Sequence, residues 1–146
     1  MKKKFWIFTS IILLLAIVFI LHNVFNNMTS KEKIFTLVEQ NVSEIKKDIK
    51  NNDFTFSKNL KGIKDINIQN NGIIDFYCGG AGFGSSTSYC GFYWSENDSI
   101  SDIWCEGAKD EIKTDGSGFS YHEVNGDNYY YTEKICDHFY YYTASF

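Results

Sequence analysis

Apolar residues are spaced in two different ways along this chain, and the change of spacing separates a helical part from a strand-rich part. Apolar residues recur at three- and four-residue steps from Phe35 to Ile49. This spacing predicts an amphipathic helix of about 20 residues. From Ile66 onward, apolar and polar residues alternate between short turn sequences. Such alternation is typical of half-buried strands.

The predicted helix has recognisable ends. Residues 29–32 read Thr-Ser-Lys-Glu and predict a capping box, in which Thr29 accepts a hydrogen bond from the Glu32 amide. Residues 51–53 read Asn-Asn-Asp and end the helix. We expect its apolar side to pack on the following sheet. The alternatives are a stalk or a dimerising helix.

Turn sequences divide the second part into strands. Asn71-Gly72 predicts a two-residue hairpin, and the glycine-rich stretch Gly79–Ser88 predicts a loop. The predicted strands are Ile66–Ile68, Ile73–Cys78, Tyr89–Trp94, Ser99–Cys105, Phe119–Val124 and Tyr129–Phe146, the last as one or two strands. Sequential strands with short turns predict an α+β fold, with one amphipathic helix packed on an antiparallel β-sheet of five to seven strands.

The N-terminal segment predicts a transmembrane helix that acts as a signal-anchor. Three lysines follow Met1, and the stretch Phe5–Phe25 is almost wholly apolar, which is roughly 21 residues or about 30 Å of helix. The lysines place the N-terminus in the cytoplasm. We therefore divide the chain into residues 1–28, a single-pass membrane anchor, and residues 29–146, an extracytoplasmic domain at the cell membrane. The alternative is a cleaved signal peptide, but no small-residue cleavage pattern follows.

All four cysteines lie in the part that we expect to be exported. Outside the cytosol the default is two disulfides. The pairs that we favour are Cys78–Cys90 and Cys105–Cys136. The spacing contains no C-x-x-C pair, which zinc sites commonly use, so neither a metal nor another cofactor is predicted.

The distribution of charged residues bears on which class of macromolecule the protein can bind. Residues 76–146 contain three lysines and eleven acidic residues, and the chain has no arginine. Nucleic-acid binding depends on basic residues that neutralise phosphates. The sequence therefore argues against a DNA or RNA partner.

Aromatic residues are the strongest candidates for recognition. They make up 18% of the chain, with ten tyrosines. Exposed tyrosine and tryptophan rings suit protein partners or sugar rings, although the same residues can simply fill a core. The candidate binding residues are Tyr93, Trp94, Trp104, Tyr121, Tyr130 and Tyr141.

Catalytic patterns are sparse. Gly79–Ser88 does not match the glycine-rich phosphate loops, and no serine-nucleophile elbow is present. His122 and His138 each lie beside an acidic residue, but neighbours on a strand point to opposite faces. The alternative hypothesis is a hydrolase-like enzyme that uses these histidines and nearby acids. The sequence favours a non-enzymatic role over this alternative.

The prediction for function is a membrane-anchored extracytoplasmic interaction module. It would recognise a protein or glycan through an aromatic, acidic sheet face. A third hypothesis is a purely structural role, with the amphipathic helix mediating oligomers.

Four stretches carry a resemblance to known proteins: Ile74–Gly82, Tyr89–Ser95, Thr132–Ile135 and Phe139–Tyr142. In these stretches the chain resembles a group of small exported single-pass proteins of Gram-positive bacteria with no assigned function. The resemblance implies the bacterial surface as the setting. It implies no catalytic residue, substrate or partner.

Overall fold

The computed structural model describes residues 2–25, 28–83, 86–100 and 112–146. Within these ranges, the chain forms three helices and seven strands, in the order α1 (Lys2–Phe25), α2 (Lys31–Asn51), α3 (Thr55–Lys58), β1 (Asp65–Ile68), β2 (Ile73–Phe83), β3 (Ser86–Ser95), β4 (Lys113–Asp115), β5 (Gly118–His122), β6 (Tyr129–Cys136) and β7 (Phe139–Ser145). All strands join one antiparallel sheet with the order β1-β2-β3-β7-β6-β5-β4. The predicted α+β class with an antiparallel sheet is confirmed.

Helix α2 packs its apolar stripe on one face of the sheet, as the periodicity predicts. Ile34, Val38 and Ile45 are fully buried in one cluster with sheet residues. The helix ends where Asn52 adopts a left-handed conformation with φ of 52°, which asparagine tolerates better than most residues. Packing of this stripe is the main source of stability for a helix of this length.

The start of α2 differs from the prediction. Ser30 is the N-cap, and no side-chain hydrogen bond caps the helix. Thr29 instead donates its hydroxyl proton to the Cys78 carbonyl oxygen at 2.9 Å. The threonine therefore ties the beginning of the helix to β2, because this tertiary partner competes successfully with the local amide.

The glycine-rich stretch is mostly strand, so its prediction as a loop is wrong. Gly80 pairs with Tyr89 and Gly82 with Thr87 in the β2–β3 ladder. A bulge interrupts this register between Tyr77 and Gly79, and Gly79 takes a φ of 133° that other residues rarely adopt. The glycines therefore serve a bulged hairpin, and local composition alone did not distinguish this from a loop.

Because alternate residues of a strand point to opposite faces, the central strands carry phenylalanines on one face of the sheet and tyrosines on the other. The helix face, which packs against α2, carries Phe76, Phe92 and Phe139. The opposite face, which we call the tyrosine face, carries Tyr77, Tyr93 and Tyr140 at the next positions along the same strands. Rings stack on both faces, with centroids 4.5 Å apart for Phe76 and Phe92 and 5.1 Å apart for Tyr93 and Tyr140. At these positions the sheet thus places phenylalanine rings beneath α2 and tyrosine rings on its other side.

Among the residues that the structure describes, no predicted disulfide is formed. Cys78 and Cys90 are buried free thiols, and Cys136 is also a free thiol. Because of the bulge, Cys90 lies opposite Gly79, and its thiol donates to the Thr29 carbonyl oxygen at 3.4 Å. The Cys78 thiol donates to the Phe76 carbonyl oxygen, also at 3.4 Å, so the two sulfurs have different partners. The predicted partner of Cys136, Cys105, lies outside the described residues.

The prediction of a transmembrane segment with a signal-anchor over Phe5–Phe25 is also corrected. Across the ranges that the structure describes, no helix combines the length and the apolar character required to cross a membrane. The location of residues 29–146 outside the cytoplasm stays a prediction. Most of the predicted strand Ser99–Cys105 lies outside the described residues.

Candidate functional site

A groove opens on the tyrosine face across β1, β2, β3, β7 and β6. Its volume is about 480 Å³, within the range of about 300–1,000 Å³ that is typical of small-molecule sites. The residues that line it are Asn67, Asp75, Tyr77, Tyr89, Tyr130, Tyr142, Ala144 and Phe146. We call it the tyrosine groove.

Aromatic rings form both sides of the tyrosine groove. Tyr89 contacts Phe146 and Tyr77, with ring centroids 6.1 and 6.2 Å away. Tyr130 and Tyr142 stack at 6.0 Å. Tyr89 is 36% exposed and Phe146 is 48% exposed. The rings therefore form two contacting groups, and those of Tyr89 and Phe146 are accessible to a ligand.

Gly91 leaves room for this arrangement. It lies on β3 between Tyr77 of β2 and Tyr142 of β7. A Cβ atom at this position would lie 2.8 Å from the Tyr142 ring and 2.4 Å from the Phe76 carbonyl oxygen, which is too close for any side chain. The missing side chain allows the Tyr142 ring to lie across the strand and approach Asp75.

Asp75 places a carboxylate in the groove. Burial raises the pKa of this carboxyl above 3.8, and hydrogen bonds from Tyr142 and Asn67 only partly offset that effect. Its Oδ1 atom is buried and has no hydrogen-bond partner. A buried acceptor without a donor costs about 1–3 kcal/mol, so such a group needs an explanation, for example a bound donor or a strained site.

Tyr77 and Tyr142 contribute neutral hydroxyl groups to the groove. Burial raises the pKa of Tyr142, and the neighbouring Asp75 raises it further because the hydroxyl donates to the carboxylate. Burial also raises the pKa of Tyr77. None of the described lining residues is basic. The tyrosine groove is therefore electron-rich and carries one anionic group.

The predicted binding residues are dispersed. Tyr130 lines the tyrosine groove. Tyr93 is fully buried on the tyrosine face, and Tyr141 is buried on the helix face, so neither ring can be offered to a partner. Tyr121 pairs with Tyr130 in the β5–β6 ladder.

The two tryptophan candidates lie elsewhere. Trp94 is on the helix face, with its ring centroid 6.0 Å from that of His138, beside a shallow hollow that Lys46 and Lys50 also line. Trp104 lies outside the described residues. The candidate residues that the structure describes therefore do not share one exposed face of the sheet.

The histidines of the alternative hypothesis do not converge. His122 pairs with Tyr129 at the beginning of β6, and His138 follows the end of β6. Strand β6 has 8 residues, so its length of about 23 Å at ~3.3 Å per residue separates the two histidines. The His138 ring Nδ1 contacts the Ser95 carbonyl oxygen at 2.8 Å. Nowhere in the described ranges do three metal-ligating side chains cluster.

A larger hollow of about 690 Å³ separates α2 from residues 60–64. Lys33, Lys61 and Lys64 are among its lining residues, together with apolar side chains such as Leu37 and Leu60. The buried acceptor without a donor belongs to the tyrosine groove and not to this hollow. We therefore assign the candidate site to the smaller groove.

Most residues of the groove were not among the predicted site residues: Asp75, Tyr77, Tyr89, Tyr142 and Phe146. One signal could have found part of it. The dipeptide Phe-Tyr occurs at residues 76–77, 92–93 and 139–140. On a strand it places an apolar ring on one face and a hydroxylated ring on the other, so three copies indicate a tyrosine-bearing face.

Comparison of the chain with protein-family models, with curated proteins and with solved structures finds no match. The resemblance to small exported proteins of Gram-positive bacteria stays a hypothesis.

Proposed function

We propose that this protein is a non-catalytic interaction module that binds a protein or glycan partner in the tyrosine groove. The observation that carries the proposal is the buried Asp75 oxygen without a donor, in a groove lined by aromatic rings. Ring faces supply contact area at low entropic cost, and a carboxylate orients a bound donor. Both features support recognition of a partner.

Binding is favoured over catalysis by the chemistry of the lining residues. Asp75 is the only acidic residue among those described in the groove. Hydrolytic mechanisms commonly need a second carboxylate, a nucleophile with its base, or a metal. The candidate histidines lie at the two ends of β6, so they do not complete such a set.

Site-specific photo-cross-linking in cells that express the full chain tests this proposal. A photoreactive phenylalanine analogue replaces Tyr89 in the groove or, as a matched control, Phe56 on α3. The two positions are 36% and 37% exposed. Mass spectrometry then identifies the attached peptide or sugar.

We expect a discrete adduct from position 89, none from position 56, and loss of the adduct when Tyr142→Ala is added. Equal labelling at both positions would contradict the proposal. An adduct that survives Tyr142→Ala would also count against it.

A further inference from the structure

The helix face already holds a bound ammonium group, supplied by the chain itself. The Lys31 Nζ atom lies 5.5 Å from the ring centroid of Phe35, 5.3 Å from that of Tyr131 and 5.8 Å from that of Tyr141. It also forms an ion pair with Glu133. Aromatic faces attract cations, and a nearby carboxylate adds a direct partner.

The tyrosine groove also contains a carboxylate among aromatic rings, but its described lining includes no cation. Asp75 supplies the carboxylate, and Tyr77, Tyr89, Tyr130 and Tyr142 supply the rings. No lysine is found among its described lining residues. Its carboxylate keeps an oxygen without a donor, whereas both oxygens of Glu133 accept hydrogen bonds.

We infer that the group bound in the tyrosine groove is the ammonium of a lysine side chain on a partner protein. The inference rests on the proposed function and narrows it. Charge complementarity is the first reason: a cation would neutralise a half-buried carboxylate, which a neutral sugar hydroxyl cannot do.

Shape is the second reason. A lysine has a long apolar stem with a compact charge at its tip. The stem suits the exposed rings of Tyr89 and Phe146 near the surface, and the tip suits the carboxylate between the strands. Lys31 shows that this fold accommodates a lysine among tyrosine rings and a carboxylate.

Two-dimensional NMR titration of the isotope-labelled full chain tests the inference. The probe is a blocked tripeptide with a central lysine, and the matched control is the same tripeptide with acetyl-lysine, which keeps the stem and loses the charge. We expect shifts at groove residues and an affinity at least about tenfold higher for lysine, equivalent to ~1.4 kcal/mol. Asp75→Asn should remove this preference, and thermal melting of that variant shows whether it is folded.

Further probes separate other ligand chemistries: an arginine tripeptide, tetramethylammonium, and glucosamine against N-acetylglucosamine. Equal binding of lysine and acetyl-lysine would overturn the inference, as would preference for any of these other probes. Absence of shifts in the groove with the lysine tripeptide would overturn it too. The proposed function is decided separately by the cross-linking at position 89, so an adduct there with no lysine preference leaves the broader proposal standing.

Discussion

The two faces of the sheet each set a carboxylate among tyrosine rings, but they complete its surroundings differently. On the helix face, burial raises the pKa of Glu133, and hydrogen bonds from Lys31, Ser117 and Tyr131 outweigh it, so that the net pKa lies below 4.5. On the tyrosine face, burial prevails and the pKa of Asp75 lies above 3.8. The Glu133 carboxylate is stabilised by its neighbours, whereas the Asp75 carboxylate has hydrogen-bond donors at only one of its oxygens.

This difference distinguishes a carboxylate that holds the fold together from the carboxylate of the proposed binding groove. The Glu133 network joins the beginning of α2 to β6 and to the turn that contains Ser117, with the Ser117 and Tyr131 hydroxyls donating at 2.6 and 2.7 Å. It therefore connects elements that are distant in the chain. Asp75 accepts hydrogen bonds from Asn67 of β1 and Tyr142 of β7, but its second oxygen keeps an unfilled acceptor, which lowers stability. In native proteins, buried polar groups that lack a hydrogen-bond partner are often found at functional sites.

The largest predicted effect contrasts one ring from each face. Phe92→Ala should lower the free energy of unfolding by about 3–5 kcal/mol, because Phe92 is fully buried beneath α2 and its loss leaves a cavity. Tyr89→Ala, at an accessible ring of the groove, should cost only about 1 kcal/mol or less. Urea denaturation of both variants measures this. Similar losses would show that the tyrosine face carries as much of the stability as the helix face.

The second prediction contrasts the carboxylates. Glu133→Gln should lower the free energy of unfolding by about 2 kcal/mol, because it removes a charge that accepts three hydrogen bonds. The Lys31 side chain is 38% exposed, so solvent screening keeps the value below that of a fully buried pair. Asp75→Asn should leave stability unchanged or raise it, since it removes a charge that burial disfavours. Thermal and urea denaturation at neutral pH provide the comparison, and a clear loss for Asp75→Asn would mean that Asp75 is a structural residue.

The smallest predicted effect is in the pH dependence of these differences. The pKa of Glu133 is lowered on folding, so its stabilisation is present above about 4.5 and is lost as the pH falls through the folded-state value. The pKa of Asp75 is raised on folding, so its destabilisation is present at neutral pH and is relieved as the pH falls through the raised value. The deficit of Glu133→Gln and any gain of Asp75→Asn should both shrink on acidification. Denaturation series from neutral pH to about 3 test this, and a gain for Asp75→Asn that grows in acid would contradict the assigned direction.

Local patterns accounted for much of the fold. The apolar spacing from Phe35 to Ile49 predicted α2, and Asn71-Gly72 predicted the β1–β2 turn, where Gly72 has a φ of 80°. Both are short-range signals, so a single sequence suffices to read them. The site was predicted less well, since Tyr130 alone of the candidates that the structure describes lines the tyrosine groove. Alternation indicates that two faces exist, but it does not indicate which face a helix covers.

The sequence by itself determined the succession of helix and strands, the antiparallel class of the sheet and the aromatic character of its strands. Only the tertiary structure decided that β7 inserts between β3 and β6, which brings Tyr142 and Phe146 beside Tyr89 and Asp75. It also decided that the bulge at Gly79 gives the Cys78 and Cys90 thiols different partners. The physical reason is that strand order and register depend on contacts between distant residues, and a local period of two is compatible with many such pairings.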